Sequence, residues 1–137
     1  MSANLEKYAL ILIFVGIVLP FYLAYSQDSA DRQNAENLKT NIDNQIREII
    51  GGAVETSPKN IHVSNNIKNI NSSGSIITII YDRAFMPGDK IILDYSSNSR
   101  FKSIIIDGYT AGSPGDYSVK SILRADNVLK IMFQKIG

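Results

Sequence analysis

Tyr8–Tyr25, YALILIFVGIVLPFYLAY, is the stretch on which the reading of this chain turns. No residue between Lys7 and Gln27 carries a charge. At about 1.5 Å per residue, a helix of this length spans roughly 27 Å, close to the hydrocarbon thickness of a bilayer. A buried core helix of a soluble domain is rarely this long without one charged face, and this run has none. Nor is it patterned as a cleaved secretory leader. Its basic n-region is Lys7 alone, and no small-x-small site follows. The run is predicted to anchor the chain in a membrane, or to begin there and later pack against copies of itself.

On its N-terminal side stands MSANLEK, in which Ser2 or Asn4 can cap a helix and Glu6 falls in the first turn, where a carboxylate suits the helix dipole. Gly16 and Pro20 lie inside the run, and Pro20 removes one backbone hydrogen bond. On the C-terminal side, Ala35, Leu38, Ile42, Ile46 and Ile49 recur at helical spacing among Asp31, Arg32, Glu36, Lys39, Asp43, Arg47 and Glu48. That is an amphipathic helix with a narrow apolar stripe. Nothing between Ser26 and Asp31 would stop a helix. Leu5 to Ile50 is therefore predicted as one rod of about 70 Å, ended by Gly51-Gly52.

Beyond Gly52, Ile-rich runs alternate with Gly, Pro, Asn, Asp and Ser, which is a strand-and-turn pattern. The runs are Asn60–Ser64, Ser75–Asp82, Lys90–Tyr95, Phe101–Asp107, Tyr117–Leu123 and Val128–Lys135. Ser75–Tyr81 is apolar on both faces and is predicted to be a central strand. Met86-Pro87-Gly88-Asp89 and Ser113-Pro114-Gly115-Asp116 suit type II turns, and Asp107-Gly108 and Asp126-Asn127 suit hairpins. The fold class expected is α+β: a long N-terminal helix over 1–50, with its hydrophobic segment at 8–25, carrying an antiparallel all-β head over 53–137, a small sandwich. Leu38, Ile42, Ile46 and Ile49 are expected to pack on that head, against residues such as Ile77, Ile79 and Ile105, because an uncovered stripe is marginal in water.

Composition narrows the chemistry. The net charge of +1 argues against nucleic acid as the main partner, since phosphate binding needs a concentrated basic surface. With no cysteine there is no disulfide framework, no zinc-thiolate site and no Cys nucleophile. The single histidine, His62, alternates with Ile61 and Val63 and reads as a strand residue rather than a base. No P-loop, GxSxG or HExxH occurs, and Asp107 and Asp116 lack the spacing of an EF-hand. No enzyme activity, metal or cofactor is expected. Asn71-Ser72-Ser73 is a sequon in a Gly/Ser-rich stretch read as a loop, so Asn71 is a glycan acceptor if the head is secreted. The α-amino group and Lys7 before the run, against Asp28 and Asp31 behind it, place the N-terminus inside and the head outside.

The front of the chain resembles the type IV pilin superfamily. Counted from Ser2, S-A-N-L-E puts Glu6 fifth, where these proteins carry a Glu immediately before a long apolar stretch. Glu6-Lys7-Tyr8-Ala9-Leu10-Ile11 is similar, with one residue inserted, to the E-Y-A-L-I start of Tad-type pilins. Leu19-Pro20-x-Tyr22-x-x-Tyr25, followed by Ala30, Ala35 and Leu38, is similar to the region after the helix proline of bacterial pilins. A Cys-free, Ile-rich β head resembles the archaeal branch. The resemblance covers about the first 50 residues. It implies a structural subunit held by one membrane span, head outside, until the helices pack in the core of an extracellular filament of identical copies. Leu5, Glu6, Gly16 and Pro20 would serve assembly, with Glu6 neutralising the α-amino group of a neighbour. The archaellum stators of the same branch keep an unprocessed helix below an immunoglobulin-like head, which implies the alternative of a static anchor whose head binds an envelope partner such as the surface layer. No leader ending in Gly precedes Ser2, so the chain is expected to be either already processed or never processed.

Overall fold

A computed structural model describes residues 2–136, with the side chains of Ala9, 11–13 and 15–136. Helix α1 runs without interruption over Ser2–Ile50, 49 residues, with Pro20 inside it. The proline removes one rung of the ladder, and no second breaker adds to it. The end of the helix is built by its glycines. Gly52, at φ 122°, lets its N–H reach the Ile49 carbonyl while the N–H of Ala53 reaches Glu48, the paired closure of a Schellman motif. The Arg100 guanidinium then donates to the carbonyls of Ile49 (3.1 Å) and Ala53 (3.0 Å), so the last turn leaves few acceptors bare.

Seven strands follow: β1 (Lys59–Val63), β2 (Ile67–Ser73), β3 (Ile76–Tyr81), β4 (Asp89–Asp94), β5 (Ser103–Asp107), β6 (Gly115–Leu123) and β7 (Val128–Lys135). They form a four-stranded sheet in the order β1-β6-β7-β5 and a three-stranded sheet in the order β2-β3-β4, with β3 in the middle. The α+β architecture holds, with one correction. β5 lies parallel to β7, so the head is mixed rather than purely antiparallel. The cause is at Asp107-Gly108, which does not make a hairpin. Gly108, at φ 83°, crosses so close to β7 that a Cβ there would stand 1.9 Å from the Phe133 carbonyl oxygen. The chain passes over to β6 on the far side of β7. Asp126-Asn127 does close a hairpin, between β6 and β7, with Asn127 at φ 61°.

β2 is the second correction: the stretch holding Asn71 is a strand, not a loop, and Asn71 pairs with Thr78. Ile67 and Ile70 both face inward although they are three residues apart, because the register shifts between Ile67 and Asn69. That irregularity hides the period of two from a sequence reading.

Both sheets turn one face toward α1, which touches β1 and β6 of the first sheet and β3 and β4 of the second. Ala35, Leu38, Ile42, Ile46 and Ile49 share a core with Ile61, Val63, Ile77, Ile79, Val119, Leu129 and Ile131. The sheets meet where the Ile104 N–H donates to Gly74 and the Ser72 hydroxyl to Ile104. Ile105 is a third correction. It is 41% exposed, while its neighbour Ile104 is buried, since successive strand residues face opposite sides.

Candidate functional site

The residues with most to say about function lie along α1, where a bare half gives way to a clamped half. From Ile11 to Tyr25 the described large apolar side chains are between 42% (Val18) and 72% (Leu12) exposed, on every face of the helix. The helix is long and apolar enough to cross a membrane. A Cβ on Gly16 would meet nothing within 4 Å. Gly16 and Pro20 are thus free surface, while the side chains of Leu5 and Glu6 lie outside the described residues.

The clamp begins at Asp28. Its carboxylate is buried and accepts two hydrogen bonds from Arg83, from Nη2 at 2.8 Å and Nε at 3.0 Å. Arg83 Nη1 also donates to Asp89 at 3.0 Å, and the Tyr81 hydroxyl donates to the same Asp89 oxygen. Hydrogen bonds from Arg83 hold both Asp28 and Asp89 below the ordinary carboxylate value and push the guanidinium's own affinity for its proton higher. A buried carboxylate with a two-pronged partner is an orientation device as much as a source of stability.

Further along, Asn66 Nδ2 donates to the backbone carbonyls of Asp31 (3.1 Å) and Asp82 (3.2 Å), tying helix to hairpin. Asp43 takes the Tyr95 hydroxyl and the Arg47 guanidinium, and burial with that carboxylate beside it raises the Tyr95 phenol well above its usual range. Deepest is Gln45, 4% exposed. Its Nε2 donates to the Val119 carbonyl at 2.7 Å, and its Oε1 accepts from the Ser121 hydroxyl at 2.8 Å. The Ser121 N–H in turn donates to Thr56 Oγ1. Amide and hydroxyl are both satisfied, which fixes the helix against β6 in one register.

Leu38, Ile42, Ile46 and Ile49 are buried along this same seam, each at 1% exposure or less. Arg83 and Gln45 were not singled out from the sequence, and Asp28 was read there only for its charge behind the apolar run. The signal was present in part, since Asp28 and Asp31 continue the stripe's spacing of three and four toward Ala35, and a polar residue at a stripe position marks a buried pair. Asn71 is exposed on β2. His62 Nδ1 sits 2.7 Å from Asp116, both side chains more than 60% exposed, beside an open polar cleft of about 330 Å³ lined by Asn34, Asn37, Thr40, Asn41, His62 and Ser64. Among the described residues no three His, Asp or Glu side chains converge as a metal site. The arrangement can hold a head rigidly on a rod and expose the rod's other half. Family models, curated proteins and solved structures were compared with the chain, and none of them matches.

Proposed function

We propose that this protein is a structural subunit of a type IV pilus-like extracellular filament, held by one membrane span before assembly. The observation that carries the reading is the single helix whose described side chains from Ile11 to Tyr25 are apolar and bare on every face, while from Asp28 to Ile49 its apolar face is buried by its own head. Such a surface needs either lipid or copies of itself. A filament supplies the second after the membrane has supplied the first. Identical copies are then the partners, no nucleic acid or cofactor takes part, and the chain is not an enzyme. The resemblance at Ser2–Glu6 supports the same reading.

The test is Glu6→Ala. In a dry helical core this carboxylate pairs with a neighbour's α-amino group, and stranding one partner costs about 3 to 5 kcal/mol. Filament yield should collapse while membrane-fraction abundance and head folding persist. Normal filaments from the variant would remove the pairing mechanism.

A second reading, the static anchor with an envelope partner such as the surface layer, is favoured by the Asp28–Arg83 clamp. It fixes the head at one height close to the end of the apolar run. On that reading Glu6 sits in water at headgroup level, and the same change costs within about 0.5 kcal/mol. Absence of filaments from the unaltered protein would favour the anchor.

A further inference from the structure

β3 runs down α1 toward the apolar half of the helix. Near the start of β3, the Tyr95 N–H donates to Ser75, and the Tyr95 hydroxyl reaches Asp43. At its other end, Asp82 and Asp31 share the Asn66 amide, and Arg83 reaches back to Asp28. The connection to β4 therefore lies beside Asp28, at the end of the head nearest the apolar run. Tyr25 stands one helical turn before Asp28, about 4.5 Å along the axis.

That connection carries Phe85 and Met86, 58% and 50% exposed. They are the one place in the head, among the described residues, where two large exposed apolar side chains follow each other. The backbone N–H of Phe85 faces the Asp28 carboxylate, which keeps the tip close to the helix. Of the charges flanking the tip, Arg83 pairs with Asp28 and Asp89, and Asp82 with Lys68 at 3.4 Å, while Lys90 is exposed at the start of β4. A loop with a largely paired base and an apolar tip, beside Asp28 and so about one helical turn past Tyr25, has the composition of an interfacial wedge.

We propose that the loop Arg83–Gly88 is a second membrane contact, with Phe85 and Met86 seated in the headgroup–acyl boundary of the bilayer that α1 enters. The apolar surface of the helix and that of the loop then form one continuous lipid-facing surface. The head stands on the membrane instead of swinging above it. This rests on the reading that α1 spans a bilayer, and it holds for a pre-assembly subunit and for an anchor alike.

The chain has no cysteine, so a single introduced cysteine carries an environment-sensitive fluorophore without background. The full chain is reconstituted in phosphatidylcholine vesicles at less than one copy per vesicle, labelled in turn at Val18→Cys, Met86→Cys and Ser97→Cys. Position 18 should be quenched most by lipid spin-labelled deep in the acyl chain. Position 86 should be blue-shifted and quenched most by lipid spin-labelled near the headgroup, and position 97, at the far end of the head, by neither. A label at Ala84→Cys should lose its quenching when Phe85→Asp and Met86→Asp are added; both residues are exposed, so the head still folds. If position 18 is in lipid and position 86 is in water, the wedge is wrong while the span stands. If position 18 is also in water, both fall. If the signal at 86 appears only when vesicles hold several copies, a second copy of the chain occupies the loop and the proposal is overturned.

Discussion

From Ile11 to Tyr25 the described large apolar side chains lie on every face of the helix and none is buried in the head, whereas from Asp28 to Ile49 the helix shows them on one face and buries that face almost completely. One backbone, one helical period and similar residues thus do two different jobs. Apolar character alone does not stabilise this fold. What matters is whether a cover exists within the chain, since the free energy comes from area removed from water. Among the described residues, Ile11–Tyr25 contributes nothing to the head's core. The second half is the centre of that core.

The sharpest way to break this contrast is to make the same chemical change on both halves. Ile46→Ala removes a fully buried side chain between two sheets and should cost about 2 to 5 kcal/mol in thermal unfolding of the head, followed in micelles of the full chain. The expectation is a large drop in Tm, and an unchanged Tm would show that the stripe is not the core's centre. Gln45→Ala should come next, at about 1 to 3 kcal/mol, because it strands the Ser121 hydroxyl and the Val119 carbonyl in a dry place. If Gln45→Ala were neutral, register would be set by packing alone.

The clamp at the boundary should show itself through pH. Asp28 and Asp89 give up their protons more readily in the folded form, because Arg83 favours their charged state. The unfolded chain therefore binds more protons in acid, and stability rises with pH there. The contribution is complete above the ordinary value of 3.8 and is lost as pH falls below it through the depressed values. Melting of wild type and Asp28→Asn should differ by a constant amount near neutrality, and the gap should close on acidification. At the bottom of the scale, Ile17→Ala should move the head's melting by no more than about 0.5 kcal/mol, since Ile17 is 56% exposed and lies outside the head's core. A larger shift would mean that the two halves are not independent.

The rod was legible because its evidence is local: an uncharged run, then a stripe at spacing three and four, then two glycines. Six strands were legible for the same reason, and Val128–Lys135 coincides with β7 residue for residue. What escaped the sequence was set by pairing at long range. β2 was hidden by a register irregularity, and the parallel β5–β7 pair by a glycine read as a hairpin signal that instead permits a close crossing. Ile105 was placed on the wrong face because an Ile-Ile-Ile run offers no alternation from which to choose. The clamp was missed because Arg83 stands 55 positions from Asp28, and no local pattern connects them.

The sheet order carries a consequence for the order of events during synthesis. β1 leaves the ribosome directly after the helix, yet its sheet partner is β6, and the Thr56–Ser121 hydrogen bond closes 65 positions. The apolar half of α1 is therefore available to the insertion machinery long before the head has anything to fold around. Through that interval the stripe from Ala35 to Ile49 is complete, helical in tendency and without its strands. The wait lasts until β6 and β7, the partners of β1 in its sheet, have been made. During it, the nascent rod presents the surface that chaperones and membranes recognise. On the reading that α1 spans a bilayer, insertion comes first and folding of the head last.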